Sequence, residues 1–122
     1  MKSFCVVTLS FFSFISAELT HFERGLNFYD QRAEKSIGLK ADPSLIGRAI
    51  DEFLMAMKSP EKELDAGVFL LKCYYFKGKF VSQNDDEKKD IYSKGKVLGE
   101  KLINLYPESV SAHYWYLVNL GS

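Results

Sequence analysis

From Leu19 onward the apolar residues recur at helical spacing, and no run alternates in the two-residue pattern of a half-buried strand. The pattern predicts an all-α chain. The first helix is expected from Leu19 to Ile37, with Gly38 ending it where positive φ is tolerated. The second runs from Pro43 to Lys58, capped by Asp42, with Leu45, Ile46, Ala49, Ile50, Phe53, Leu54 and Met57 on one face. The third takes Ser59 as its cap and Pro60 in its first turn, and runs to Phe76 near Gly78. Asn84 with Glu87 has the layout of a capping box and opens a fourth helix, Asp85 to Tyr106, which Pro107 ends. A fifth begins near Ser109.

The third helix is apolar on two sides. Leu64, Val68, Leu71 and Tyr75 form one stripe, Ala66, Phe69, Leu70, Cys73 and Phe76 the opposite one, and Lys72 falls between them. Such a helix packs on two sides, which places it centrally in a stack of antiparallel neighbours.

The start of the chain breaks this pattern. Met1-Lys2-Ser3 is a short basic opening, Phe4 to Ile15 carries no charge, and Ser16-Ala17 are small. That layout predicts a secretory signal over residues 1–17, cleaved after Ala17, on a chain exported to the periplasm or an equivalent space. The apolar run is too short for a membrane span, which needs roughly 20 residues. Cleavage would remove Cys5 and leave Cys73 alone, so packing and not a disulfide must stabilise the mature chain.

Composition then narrows the function. Lys plus Arg and Asp plus Glu are equal at 16 each, and this balance argues against a nucleic-acid footprint. At 47% hydrophobic residues, the 122-residue chain has enough apolar surface for one packed domain.

Two helices carry a repeat signal. Ala49, Phe53 and Ala56 precede Ser59-Pro60, and Gly95, Gly99 and Leu102 precede Tyr106-Pro107. Small residues followed by a proline-started turn resemble the second helix of a tetratricopeptide repeat. Leu70-Leu71 with Tyr74, and Trp115 or Tyr114 with Leu117, resemble the first-helix row of that family. Gly99 stands where the family usually has an aromatic and Leu102 where it has a small residue. The resemblance spans about residues 19–122 and implies stacked helix hairpins forming a solenoid. With Ala112-His113-Tyr114-Trp115-Tyr116 after Pro107, the chain is further similar to periplasmic tetratricopeptide components associated with tripartite solute transporters. That similarity implies a binding scaffold for a protein partner or small-molecule ligand, without enzymatic activity.

Candidate chemistry is sparse. His21 and His113 lack zinc-ligand spacing; His21 is expected to be solvated and His113 packed and hydrogen-bonded. Cys73, between Phe69 and Phe76, reads as a buried inert thiol. Asn84 to Glu87 lacks the spacing of a calcium loop and reads as a helix cap. Gly95 and Gly99 lie inside a helix, where they permit close approach and form no phosphate loop. No catalytic residue, metal site or cofactor is expected.

The aromatic group Tyr74, Tyr75, Tyr114, Trp115 and Tyr116 is the most informative feature, since repeat stacks present an extended concave face. Lys72, Tyr75, Tyr114 and Asn119 are the candidate binding residues. Residues 109–122 contain no Lys, Arg, Asp or Glu, and Val110, Tyr114, Leu117, Val118 and Gly121 share one side. That apolar side leads to the expectation that the chain continues past Ser122 or that this helix is buried in a homo-oligomer.

Overall fold

The computed structural model describes residues 18–122; the expected signal segment and Cys5 lie outside the described residues. Among the described residues the chain forms five helices: α1 (His21–Asp30), α2 (Pro43–Ala56), α3 (Glu63–Phe80), α4 (Asp85–Leu105) and α5 (Val110–Leu120). The fold is all-α, as the apolar periodicity predicts. The only β-type pairing among these residues is an isolated bridge between Ile37 and Lys40.

α1 starts with a capping box, in which Thr20 Oγ1 accepts from Glu23 N at 3.1 Å and Glu23 answers to the Thr20 N–H. It ends at Asp30, well short of the expected Ile37. The segment after it has no apolar face to bury, and its amides turn back on residues three positions earlier, Arg32 N to Tyr29 O and Glu34 N to Gln31 O. Arg32 closes the helix end. Its guanidinium lies 4.0 Å over the Tyr29 ring and donates to the Tyr29 carbonyl at 2.9 Å. Gly38, at φ 60°, is not the helix cap but part of the tight turn between Ile37 and Lys40, which exchange backbone hydrogen bonds of 2.8 and 3.1 Å.

α2 buries Leu45, Ile46, Ala49, Ile50, Phe53 and Ala56, while Leu54 faces outward. α3 begins at Glu63 and not at Pro60, because Ser59 to Lys62 close a turn through Ser59 N to Ala56 O and Lys62 N to Ser59 O. Glu63 and Asp65 complement the positive end of its dipole. The helix continues past Gly78 to Phe80. Gly78 is there for closeness, since a Cβ on it would lie 2.6 Å from the Tyr92 ring.

The two stripes of α3 separate two cores. Ala66, Leu70, Cys73 and Phe76 join Ile46, Ala49, Ile50 and Phe53 of α2, with Phe22 and Leu26 of α1 packed against them. Val68 and Leu71 join Leu102 of α4 and Ala112 of α5. α3 therefore touches α2, α4 and α5, while α1 packs on α2 and α4 on α5.

Part of the burial pattern recurs at a displacement of 46 residues (49 to 95, 53 to 99, 56 to 102), although Ile50, Val68 and Leu71 are buried where Lys96, Tyr114 and Leu117 are exposed. Ala49, Phe53 and Ala56 of α2 correspond to Gly95, Gly99 and Leu102 of α4, all buried. Ala66 and Cys73 of α3 correspond to Ala112 and Asn119 of α5, also buried. The glycines bring α5 close to α4. A Cβ on Gly95 would run into the Asn119 amide, and one on Gly99 into the Tyr116 ring.

Candidate functional site

One side of the molecule collects aromatic rings and ammonium groups from α1, α3 and α5. Phe69 of α3 is its hub. Its ring centroid lies 5.9 Å from Phe22 and 5.7 Å from Tyr29, both edge-on, and 5.4 Å from Phe53, stacked. Lys72, one turn along α3, lays its ammonium 4.2 Å from the Phe69 centroid and 5.5 Å from that of Trp115, bridging two helices. Trp115 continues the row to Tyr75 at 6.1 Å and to Tyr114 at 5.3 Å. Tyr75 reaches Tyr92 at 6.5 Å, and its hydroxyl accepts from Lys79 Nζ at 3.2 Å. Beside this row a cleft of about 430 Å³ lies among Phe22, Leu64, Val68, Phe69, Lys72 and the hydroxyls of Ser109 and Ser111, with Asp65 on its wall.

Three of the four candidate residues, Lys72, Tyr75 and Tyr114, thus come together around Trp115. Asn119 does not join them. It is 2% exposed, and its Nδ2 donates to Leu71 O at 3.1 Å and Trp115 O at 2.9 Å, tying α5 to α3. Its Oδ1 has no hydrogen-bond partner among the described residues and abuts Gly95. The sequence-level aromatic group also divides. Tyr74 is half-buried against the α2–α3 core, where burial raises its pKa, and Tyr116 covers Gly99. Phe69 belongs to the face but reads as core from spacing alone, and Phe22 carries no signal of its own. Contact of α1 with α3 was the missing information.

The titratable groups behave as packing dictates. Burial pushes the Cys73 thiol up to about 12, so it stays protonated at neutral pH and is a poor nucleophile. His113 is exposed, and its Nε2–H donates to Pro107 O at 2.8 Å. His21 is not merely solvated. Its Nδ1 lies 2.7 Å from Glu52 Oε2, with Arg24 Nε 3.3 Å from the same carboxylate, clasping α1 to α2. Burial works against the charge on Glu52, but the bonds from His21 and Arg24 outweigh it and hold the carboxyl below its usual range. Asn84 Oδ1 accepts from Glu87 N at 2.9 Å, so the cluster caps α4, but Glu87 Oε2 accepts from Gln83 N at 2.7 Å and not from Asn84 N, so the expected capping box is not completed.

Among the described residues no three His, Cys, Asp or Glu side chains gather as metal ligands, and no helix is long and apolar enough to cross a membrane. Comparison with protein-family models, with curated proteins and with solved structures finds no match to this chain.

Proposed function

We propose that the chain is a non-enzymatic, exported binding scaffold, and that its partner contacts the α1–α3–α5 face. The observation that carries this reading is the placement of Lys72 between Phe69 and Trp115, with Tyr75 and Tyr114 at its edge. Aromatic rings, Trp and Tyr above all, are enriched among the side chains that dominate binding surfaces. The partial equivalence of α2–α3 with α4–α5 supports a stack of helix hairpins, in which α1, α3 and α5 would be the first helices of successive pairs, although its displacement of 46 residues is longer than the roughly 34 of a tetratricopeptide repeat. Export to the periplasm rests on the layout of residues 1–17.

The test is affinity capture from the native envelope with the wild-type chain and with Lys72→Glu and Tyr75→Ala in parallel. A partner held by the wild type and lost from both variants, each still helical, is expected. A partner retained by both places binding elsewhere and refutes the assignment.

A second reading, a ligand-binding accessory of a solute transporter, is favoured by the cleft beside Lys72, where an ammonium and two serines stand among apolar side chains. Its occupant would be a small apolar or anionic molecule. Native mass spectrometry of the envelope-purified protein would show that molecule bound, and would show it lost on Lys72→Ala, a change in the cleft wall. Undiminished binding in that variant counts against this reading.

A further inference from the structure

We propose that the cleft walled by α1, α3 and α5 binds a small zwitterion, a molecule with one carboxylate and one ammonium on an apolar body. The inference narrows the small-molecule reading of that cleft and rests on it. Asp65 and Lys72 both line the cleft. They stand seven residues apart on α3. That is about two helical turns, so they share one face with their Cα atoms about 10 Å apart. Val68, which is buried, and Phe69, which is half-buried, lie between them. The cleft therefore offers an acid at one end of an apolar floor and a cation at the other.

A zwitterion is selected because these two charges neutralise neither each other nor anything else. Among the described residues neither Asp65 nor Lys72 belongs to an ion pair. In the cleft beside Tyr74, by contrast, Asp90 and Lys94 already lie 3.9 Å apart, one turn along α4. Lys62, close to Asp65 in the chain, is drawn onto the Phe22 ring, 4.8 Å from its centroid. Lys72 is held in place by rings, because its ammonium lies over Phe69 and Trp115, and rings position a cation without cancelling its charge.

A ligand carboxylate at Lys72 and a ligand ammonium at Asp65 pair both charges at once. A purely anionic ligand would face Asp65 at like charge, and a purely cationic one would meet Lys72. The apolar body rests on Val68 and Phe69, with Phe22 on the α1 side. The hydroxyls of Ser109 and Ser111 on the α5 side can donate to a carboxylate or accept from an ammonium. An apolar amino acid and a short apolar peptide share this chemistry.

The test is a titration of the isotope-labelled chain with leucine and with leucyl-leucine, followed by NMR at the amides of Val68, Phe69 and Ser111. Saturable shifts in the millimolar range are expected, and the tighter probe tells whether the cleft takes a free amino acid or a peptide. N-acetylation of that probe removes its ammonium and amidation removes its carboxylate. Each should weaken binding about fivefold or more, the worth of a solvent-exposed charge pair at its upper end. Asp65→Asn should abolish the penalty for acetylation and keep that for amidation, and Lys72→Gln should do the reverse. This crossed pattern reads charge pairing and not damage to the fold, since each variant keeps one penalty intact. No shift with either probe overturns the proposal. So do capped probes that bind as well as free ones, or penalties that neither variant changes. A purely anionic molecule found in the cleft by native mass spectrometry would keep the small-molecule reading and overturn the zwitterion.

Discussion

Gly95 and Gly47 both lie inside helices, and replacing each with alanine should move stability in opposite directions. At Gly47 nothing lies within 4 Å of the new methyl group. The substitution there only removes backbone freedom from the unfolded chain and should stabilise by about 0.5–1 kcal/mol. At Gly95 the same methyl would lie 2.6 Å from Asn119 Cγ and 3.0 Å from its Cβ. Asn119 cannot easily swing aside, because Nδ2 is bonded to both Leu71 O and Trp115 O. Overpacking of this kind costs about 1–3 kcal/mol. Breaking the Asn119 hydrogen bonds to make room adds about 1 kcal/mol for each. The helix-propensity gain of about 1 kcal/mol offsets part of this, and overpacking plus lost bonds wins. Net destabilisation of about 2–4 kcal/mol is expected at Gly95, or a fall in Tm of roughly 10 °C or more at about 4–8 °C per kcal/mol for a domain of this size. Urea unfolding followed by circular dichroism, with Gly47→Ala as the internal control, measures both signs. If Gly95→Ala were as stabilising as Gly47→Ala, α5 would not approach α4 through that residue, and the account of the α4–α5 contact would be wrong.

Other groups give sharper chemical tests. Asn119→Asp replaces a buried amide donor by a carboxylate facing two carbonyl oxygens, and should cost at least about 3 kcal/mol at neutral pH, easing as acid protonates it; urea midpoints across pH would show this. Cys73 should resist thiol reagents until the chain unfolds. Because its folded pKa of about 12 exceeds its ordinary 9.0, its contribution is complete below pH 9 and is lost as pH rises from about 9 to about 12. Cys73→Ala should flatten that alkaline decline, and an unchanged slope would place the titration elsewhere. Glu52 has the opposite sign, since its carboxyl is held below its usual range. The stability it adds is present above the ordinary carboxylate range and is lost as pH falls through the depressed value. Thermal melts of Glu52→Gln should lack that part of the acid sensitivity.

The elements whose signals are local were legible in the sequence. Asp42-Pro43, Asn84 with Glu87, and Ser109 start helices where their capping chemistry places them. The two stripes of α3 foretold its two cores because a helix can be apolar on opposite sides only if both are covered. Glycine was harder to read, because the same residue serves either freedom or closeness. Gly38 is a turn residue and Gly78 a contact with Tyr92, and only the tertiary neighbour distinguishes them. The segment after Asp30 failed for a different reason. Its polar residues tolerate a helix locally but offer no face to bury, so the chain turns instead. At the candidate site, spacing placed Lys72 and Tyr75 correctly relative to α3 but could not show that Trp115 comes to meet them. It also could not show that Asn119 is buried and bonded to the Leu71 carbonyl of α3.

The central claim is that the α1–α3–α5 face holds a partner, and site-specific photo-crosslinking in the native envelope tests it most directly. A benzophenone side chain at position 75 probes that face, and one at Val97, 68% exposed on α4, serves as the control. The account predicts a discrete adduct from position 75 and none from position 97. Adducts of equal yield at both positions, or at 97 alone, would contradict it.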